Sequence, residues 1–308
     1  MSAGQVVEPI TAYERHVHDV VTVHRAGRTP VQEFAIVELG TYGPALLLDG
    51  RVQSTAGDEA HYHEALLYPA YAMSDRVERV LVFGGANGGV LHRLCALPDL
   101  RQVVQLDVDG ELYEITRSML PHMHRGADRD PRCRVVFGDP RALVREIREI
   151  REAGDGFDLV VADLPDATEG SATERLFTAE FYAEVRGVLR PGGLFATQAG
   201  PAHFLAADFF AGTLRTLGSV FRYATPYAIS VPSYGVPWGF VVAGDTVDPA
   251  GVTEERVAAA MAKVDPKAST VYDAVTHRHM FALERRLREA LADSGTVATD
   301  RKPINVVS

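Results

Sequence analysis

Short apolar runs alternate with helical stretches over most of the chain beyond residue 80. In the stretch 141–151, for example, Leu143, Ile147 and Ile150 recur at helical spacing. Alternating strands and helices predict the α/β class, with a doubly wound and mainly parallel sheet. The runs that we interpret as strands cover residues 80–83, 103–106, 135–137, 159–162, 194–197 and 239–242.

The N-terminal part of the chain has a different pattern. Residues 34–39 have the composition of a strand, and residues 40–44 have that of a turn. A second apolar run at 45–48 leads into Asp49-Gly50, a pair that favours tight hairpin turns. We therefore expect a small antiparallel β domain here.

These two patterns divide the chain into two predicted domains. The N-terminal β-hairpin domain is expected to cover residues 1–57, with a frayed start at 1–12. A helix at about 58–73 leads into the second, catalytic domain, which is expected to cover 58–308 and to end in polar helices.

The composition is that of an ordinary globular protein. Of the 308 residues, 46% are apolar and 23% are charged. The 31 basic and 41 acidic residues give a net charge of −10. Because such a surface repels phosphate backbones, we do not expect nucleic-acid binding.

The cysteine content and the apolar segments favour a cytoplasmic protein. Cys95 and Cys133 are the two cysteines of the chain, too few for a disulfide framework. No apolar stretch reaches the ~20 residues that span a bilayer, and the N-terminus has no signal-peptide pattern. We therefore expect no membrane association.

Candidate chemistry follows four of the apolar runs directly. The first run ends in a glycine-rich loop at 84–89, and the others end in Asp107, Gly138-Asp139 and Asp163. Ligands of doubly wound sheets bind outside the carboxyl ends of the strands. If the strands are parallel, these groups should line one crevice.

The first three of these strand ends suit a nucleoside. Glycines let a backbone approach a ligand closely, although the loop at 84–89 is also compatible with a plain tight turn. Asp107 is placed to hold ribose hydroxyls, or it is a solvated loop carboxylate. Asp139 suits an adenine amino group, or it caps the helix that begins there. Ala86 stands where a dinucleotide loop needs bare backbone, so an adenosyl sulfonium is favoured over NAD.

Asp163 and Asp166 form the most reactive segment. They follow a strand directly, and the nearest downstream cation in the sequence is Arg175. The pair is interpreted as a receptor for a cation, or alternatively as a helix cap and a turn residue. An amine with a pKa of about 10 must lose a proton before it can attack carbon. A nearby carboxylate can accept that proton, an effect of ~10²–10⁴-fold in rate.

A colinear series of short motifs runs from about Thr29 to Phe281. The segments are 29–32 (Thr-Pro-Val-Gln), 48–53 (Leu-Asp-Gly-Arg-Val-Gln), 58–64 (Asp-Glu-Ala-His-Tyr-His-Glu), 84–89, 163–166, 176–182, 191–193, Gln198, 232–234 and 238–240. In this order they resemble the spermidine synthase (polyamine aminopropyltransferase) family. The order is specific, although each motif alone is weak.

This resemblance implies a small β domain before a Rossmann-like domain of the methyltransferase type. It implies transfer of the aminopropyl group of decarboxylated S-adenosylmethionine to a di- or polyamine such as putrescine, with release of methylthioadenosine. It also implies a homodimer or homotetramer. No metal is expected, since no Cys/His set has ligand spacing. The implied site consists of Asp163 as the catalytic carboxylate, of Gln32, His63, Gly85, Asn87, Asp107 and Asp139 around the cofactor, and of Tyr62, Asp166, Gln198 and Tyr234 around the amine.

Three departures from the family pattern concern this site. Asn87 replaces an acidic residue that faces the ammonium of the cofactor, so one negative charge is missing. Leu164-Pro165 and Ala167 replace smaller polar residues and a proline in the substrate gate. Ala86 replaces a third loop glycine, which predicts a shifted backbone.

Two other functions stay open. One is a methyltransferase, or another alkyl transfer from intact S-adenosylmethionine to an amine. It needs a cation for the methionine carboxylate, and no Lys or Arg is obvious in the matched motifs. The other is a non-catalytic binding protein on the same fold, against which the presence of Asp163, Asp166, Tyr62 and Tyr234 argues.

Overall fold

The computed structural model describes residues 4–11, 13–150 and 156–306. Its N-terminal region is a five-stranded antiparallel sheet in the order β1-β2-β3-β4-β5. The predicted Asp49-Gly50 turn joins β4 to β5, and both residues have the positive φ that this turn requires, +47° and +78°. The strands are β1 (Gly4–Pro9), β2 (Arg15–Arg28), β3 (Glu33–Leu39), β4 (Gly43–Leu48) and β5 (Arg51–Thr55).

The segment expected to be a frayed start forms an edge strand, so that prediction is wrong for 4–9. β1 pairs with β2 from Gly4 opposite Val20 to Pro9 opposite Arg15. Val6 and Glu8 are both buried, because alternate residues of a strand share one face. One short, partly polar strand has too few apolar positions to show a period. Residues 1–3 and 12 lie outside the described residues.

A largely buried helix, α1 (Glu59–Met73), connects the two sheets. Asp58, just before it, accepts hydrogen bonds from the Thr55 hydroxyl at 2.7 Å and from the backbone N–H of Ser233 at 2.6 Å. These bonds attach the end of β5 to the second sheet. The predicted helix at 58–73 is confirmed, but the domain boundary at 57/58 stays a prediction.

The second sheet has seven strands in the order β11-β12-β10-β9-β6-β7-β8. The neighbours among β6 to β10 pair in parallel, and β12 pairs antiparallel with β10 and β11. This confirms the Rossmann-like fold and adds β11, whose mixed sequence was not among the predicted runs. The strands are β6 (Arg79–Gly84), β7 (Gln102–Asp107), β8 (Cys133–Phe137), β9 (Phe157–Asp163), β10 (Leu189–Pro201), β11 (Tyr223–Ser230) and β12 (Pro237–Gly244).

Helices cover both faces of this sheet. Val80 and Val82 point into one apolar cluster, while Leu81 and Phe83 point into the other, as expected for a strand buried on both sides. The parallel strands therefore end together at one edge, where the polar groups that follow them can meet. The remaining helices are α2 (Gly89–Cys95), α3 (Gly110–Met119), α4 (Pro121–His124), α5 (Pro140–Ile150), α6 (Ala179–Val188), α7 (Asp208–Val220), α8 (Glu254–Met261), α9 (Ala274–Phe281) and α10 (Arg285–Asp293).

Candidate active site

A cavity of about 520 Å³ lies between the N-terminal sheet and the carboxyl ends of β6, β7, β8 and β9. The expectation that the strand-end groups share one crevice is therefore confirmed. Of the eleven predicted site residues, ten line the cavity and His63 does not. The ten are Gln32, Tyr62, Gly85, Asn87, Asp107, Asp139, Asp163, Asp166, Gln198 and Tyr234.

The glycine-rich loop after β6 is shaped by its contact with Asp163. Gly84 and Gly85 have positive φ values of +72° and +80°. A Cβ atom on Gly84 would lie 2.3 Å from the carbonyl oxygen of Asp163, and the N–H of Gly85 donates to the same oxygen at 3.0 Å. The close approach of β9 therefore requires glycine at this point.

Two of the departures in this loop have a local explanation. Ala86 is not among the described residues with positive φ, so alanine causes no backbone strain there. Asn87 Oδ1 accepts the N–H of Gly89 at 2.9 Å, at the start of α2. This bond occupies one lone pair of the oxygen, so Asn87 offers a ligand its amide NH₂ group and the second lone pair of Oδ1.

Asp107 occupies the predicted nucleoside end of the cavity. Its Oδ1 accepts the N–H of Asp109 at 2.9 Å, and burial raises the pKa of Asp107 to about 7. Asp109 was not predicted, yet it caps α3 and accepts hydrogen bonds from Thr29 at 2.6 Å and Gln32 at 3.1 Å. Asp109 thus holds Gln32 at the cavity. The sequence signal was present, since Asp109 directly precedes a helix.

Asp139 caps a helix and also faces the cavity, so the structure is compatible with both of the roles that the sequence left open. Its Oδ1 accepts the N–H of Arg141 at 2.9 Å at the start of α5, and the residue is exposed at the cavity rim. Capping therefore uses one carboxylate oxygen. The second oxygen can still serve a ligand.

Carboxylates and aromatic rings form the other end of the cavity. Asp163 is 7% exposed, and its buried Oδ2 has no hydrogen-bond partner among the described residues. Burial raises the pKa of Asp163, and it raises that of Asp166 to about 6. Tyr62 and Tyr234 line the same region with ring centroids 6.0 Å apart, and burial keeps both phenols neutral by raising their pKa values. This end can receive an ammonium group.

Gln198 fixes the segment that carries Asp166. Its Nε2 donates to the Leu164 carbonyl at 3.3 Å and to Asp166 Oδ1 at 3.4 Å. Its Oε1 accepts the N–H of Gly200 at 2.7 Å. Gln198 therefore connects the ends of β9 and β10.

Two charged residues at this end were missed by the sequence analysis. Arg51 lines the cavity, and its guanidinium lies 3.8 Å from Asp166 Oδ2. Glu8 lines it from β1; its Oε1 accepts the N–H of Val52 at 2.8 Å, and its Oε2 has no hydrogen-bond partner among the described residues. Arg51 belongs to the matching segment 48–53, so the expectation that the matched motifs contain no obvious Lys or Arg is wrong. Glu8 lay in the segment expected to fray.

His63 lies behind Asp163 rather than on the cavity wall. Its ring is fully buried, with Nδ1 2.7 Å from Glu59 Oε2 and Nε2 3.8 Å from Asp163 Oδ2. Arg93 in turn holds both oxygens of Glu59, at 2.9 and 3.1 Å. The buried α1 thus places the ring outside the lining of the cavity, and the cofactor-binding role of His63 stays a prediction.

The substrate-gate segment accommodates its apolar substitutions by burial. Leu164 and Ala167 are 6% and 0% exposed and join the apolar cluster of α6 and α7. The N–H of Val306 donates to the Ala167 carbonyl at 2.8 Å, and Asn305 Nδ2 donates to Glu174 at 3.2 Å. A C-terminal segment therefore covers this loop.

The part of the chain that the structure describes holds neither a metal-binding cluster nor a membrane-spanning helix. Across 4–11, 13–150 and 156–306, no cluster of three or more His, Cys, Asp or Glu residues is arranged for a metal ion. No helix in these ranges has the length and apolar character needed to cross a membrane.

The fold and the cavity define a Rossmann-like protein with carboxylates at the ends of three parallel strands, β7, β8 and β9. The spermine/spermidine synthase domain family model matches residues 59–252, and the chain belongs to this family. Polyamine aminopropyltransferase 2 of Hyperthermus butylicus is 37% identical over 98% of this chain and 96% of its own length. The polyamine aminopropyltransferase of Synechococcus sp. strain JA-2-3B'a(2-13) is 35% identical over 97% and 96%.

Solved structures share the fold. The crystal structure of a spermidine synthase in complex with the transition-state analogue AdoDATO has a TM-score of 0.82. It is 24% identical and covers 95% of this chain and 96% of its own. The expected α/β architecture, with a small β domain before a Rossmann-like domain, is therefore confirmed.

Proposed function

We propose that this protein is a polyamine aminopropyltransferase. In this reaction, the aminopropyl group of decarboxylated S-adenosylmethionine passes to a di- or polyamine such as putrescine, and methylthioadenosine is released. The observation that carries the proposal is one cavity with Asp107 at one end and the carboxylates of Asp163 and Asp166 at the other. The full-length similarity to polyamine aminopropyltransferases supports it.

Asp163 is the proposed catalytic residue. The amine enters as an ammonium and gives one proton to the Asp163 carboxylate. The nitrogen lone pair then forms an N–C bond while the C–S bond breaks, and that bond's electrons stay on sulfur. Positive charge moves from sulfur to nitrogen, so an ionised carboxylate beside the nitrogen stabilises the transition state more than the ground state, and Asp163 can play this part once it has released the accepted proton. In-line alignment in the cavity supplies the rest.

A product assay tests this proposal. Purified protein is supplied with decarboxylated S-adenosylmethionine and, in turn, putrescine, cadaverine, spermidine or agmatine. We expect methylthioadenosine and an aminopropylated amine in equal amounts. Absence of turnover with every amine would leave the non-catalytic binding function instead.

Methyl transfer from intact S-adenosylmethionine is the second candidate, and two observations favour keeping it. Asn87 offers an amide NH₂ group where the family pattern has an acid, and Arg51 supplies a cation at the cavity. Both could meet a methionine carboxylate. Release of S-adenosylhomocysteine from intact S-adenosylmethionine in the same assay would select this function.

We also infer a homodimer or homotetramer located in the cytoplasm. Three valines of β2, Val17, Val21 and Val23, are 45%, 50% and 50% exposed, which is consistent with a covered face in an assembly. Light scattering of the purified protein tests this inference. A monomer at micromolar concentration would contradict it.

A further inference from the structure

A chain of buried charged groups extends from Asp163 away from the cavity. His63 lies between two carboxylates, with Nδ1 at 2.7 Å from Glu59 and Nε2 at 3.8 Å from Asp163. Arg93 binds Glu59 through two nitrogens and lies 3.8 Å from Glu64. Glu59, His63, Glu64 and Arg93 are each at most 7% exposed. Buried ionisable groups are costly, so such a chain calls for an explanation.

The tautomer of His63 follows from its partners. Burial opposes the ionisation of Glu59, but hydrogen bonds and charges from His63 and Arg93 hold the pKa of this carboxyl below its usual value. An ionised carboxylate accepts hydrogen bonds and cannot donate them. Nδ1 therefore carries a hydrogen that points to Glu59, and in the neutral form of the ring Nε2 has a lone pair that faces Asp163.

Two polar atoms remain unpaired at this point of the structure. His63 Nε2 and Asp163 Oδ2 are both buried, and neither has a hydrogen-bond partner among the described residues. Bonds between catalytic groups are often longer in free enzymes than in substrate complexes. A proton placed between these two atoms would satisfy both.

The glycine loop makes room for the imidazole. A Cβ atom on Gly89 would lie 2.3 Å from His63 Cε1 and 2.6 Å from Nε2. A Cβ atom on Gly85 would lie 3.2 Å from Asp163 Oδ2. The loop therefore packs against both members of the pair, which ties their geometry to the cavity.

We propose that His63 takes the proton that Asp163 removes from the amine. The inference rests on the proposed function. Asp163 accepts one proton from the ammonium, and the proton moves to Nε2 of His63, which gives an imidazolium held by Glu59. Asp163 is then a carboxylate again when the nitrogen becomes positive. After the product leaves, the proton returns through Asp163 to water in the emptied cavity.

This step resolves a conflict in the role of Asp163. A carboxylic acid that keeps the proton is neutral and cannot stabilise the positive charge that develops on nitrogen. With the proton on His63, the same residue acts first as a base and then as an anion. His63 is thus a positioning residue that acts through Asp163.

Several other groups face the pair and contribute to its titration. Those whose charges act on Glu59, His63 or Asp163 lie on α1, α2, α4 and the cavity wall; they are Tyr62, Tyr68, His92, Arg93, His122, Asp107 and Tyr234. Glu64 lies 3.8 Å from Arg93, and Asp166 acts on Tyr62 and Tyr234. A proton shared by the pair binds more tightly than a proton on Asp163 alone, because two sites can hold it. Removal of the His63 base should therefore move the acidic limb of the rate profile to lower pH.

The first test reads the tautomer and charge of His63 in the wild-type protein, without turnover. Nitrogen-15 NMR of histidine-labelled protein at about pH 8 should show His63 neutral, with hydrogen on Nδ1. The His63 signals are assigned by their absence from the His63→Asn spectrum, or by their shift in Asp163→Asn. A His63 that is doubly protonated at this pH cannot accept a proton, and that result would overturn the relay.

The second test compares two substitutions that fill the position without a basic nitrogen. His63→Asn keeps an N–H group near Glu59, and His63→Gln places an amide near Asp163. The relay predicts a fall in kcat of about 10²-fold in both, with the acidic limb at lower pH and methylthioadenosine affinity unchanged. If His63 merely orients Asp163 by a hydrogen bond, His63→Gln should restore kcat.

A matched control is His24→Asn on β2, which removes a partly exposed histidine 3.5 Å from Glu38. It should leave kcat and the pH profile unchanged. Wild-type-like kcat and pH profile in both His63 variants would overturn the relay while the proposed function stands. Failure of the wild type to release methylthioadenosine with any amine would overturn the proposed function, and the relay with it.

Discussion

The two ends of the cavity use carboxylates in opposite ways. At the nucleoside end, Asp107, Asp109 and Asp139 each accept a backbone N–H from a residue two or three positions ahead. At the amine end, Asp163 Oδ2 and Glu8 Oε2 are buried without hydrogen-bond partners among the described residues. The first set is fixed by its own loops. In the second set Asp163 Oδ2 has capacity left for a cation, while Glu8 Oε2 lies 3.7 Å from His18 Nε2.

This difference separates positioning from chemistry. Locally satisfied carboxylates hold their geometry whether or not a ligand is bound, as binding of neutral hydroxyls and amino groups requires. Unsatisfied carboxylates carry a desolvation penalty that a bound ammonium would relieve. Substitutions at the two ends should therefore affect different kinetic constants.

The largest effect is expected for Asp163→Asn at the amine end. The asparagine keeps the shape but neither accepts a proton nor carries charge, so kcat should fall by ~10²–10⁴-fold. Methylthioadenosine affinity, measured by calorimetry, should change less than about threefold, because the nucleoside is proposed to bind at the other end of the cavity. Loss of a hydrogen bond from the nucleoside to a charged group would change the affinity by more than this. Equal turnover by the variant would remove Asp163 from its role.

Asp107→Asn should instead act on the nucleoside. Above pH 7, where Asp107 is ionised, loss of this charged hydrogen-bond acceptor should weaken methylthioadenosine binding by about 10–100-fold, with a smaller effect on kcat at saturation. The comparison of the two ends would fail if kcat fell as far as in Asp163→Asn.

The same substitution should change how stability depends on pH. The folded-state pKa of about 7 lies above the ordinary 3.8, so the stabilising contribution of Asp107 is present below 3.8 and is lost as pH rises through 7. Between these pH values the wild type should lose up to about 4 kcal/mol of unfolding free energy relative to Asp107→Asn. Urea unfolding at both pH extremes measures this difference.

The pattern of the strands predicted one half of this arrangement better than the other. Asp107, Asp139 and Asp163 follow apolar runs directly, and parallel strands bring such groups together by a local rule. Glu8 and Arg51 reach the cavity because the N-terminal sheet packs over the second one, and no local spacing encodes that contact. The burial of His63 between Glu59 and Asp163 likewise depends on how α1 lies between the sheets. The sequence analysis assigned His63 a place at the cofactor and said nothing of its buried partners, so that role stays a prediction.

A pH profile of the amine KM tests the charged state of Asp166. With a pKa of about 6, this carboxyl is an anion above that pH and neutral below it. Because the amine stays protonated throughout, its KM should rise by up to about tenfold per pH unit below 6. Asp166→Asn should have a high KM that no longer changes around pH 6. A wild-type KM that is constant between about pH 5 and 7 would contradict this assignment.

The smallest effect concerns Arg51, whose positive charge faces Asp166. Its guanidinium, 19% exposed and 3.8 Å from the carboxylate, partly neutralises the group that should attract an ammonium. Arg51→Gln should therefore lower the amine KM by about two- to fivefold, the range expected of a screened ion pair, and the effect should shrink in salt. Arg28→Gln is the matched control, since it breaks an exposed ion pair with Glu33 in the N-terminal sheet. A rise in KM would mean that Arg51 orients Asp166 rather than competing with the amine.

Inhibition by intact S-adenosylmethionine tests whether Arg51 also binds the methionine carboxylate. If it does, the Arg51→Gln variant should be inhibited less by intact S-adenosylmethionine than the wild type. In that case the amine end would bind an anion as well as a cation. The two ends would then differ in whether their carboxylates already have hydrogen-bond partners, and not in the charge of the group that they bind.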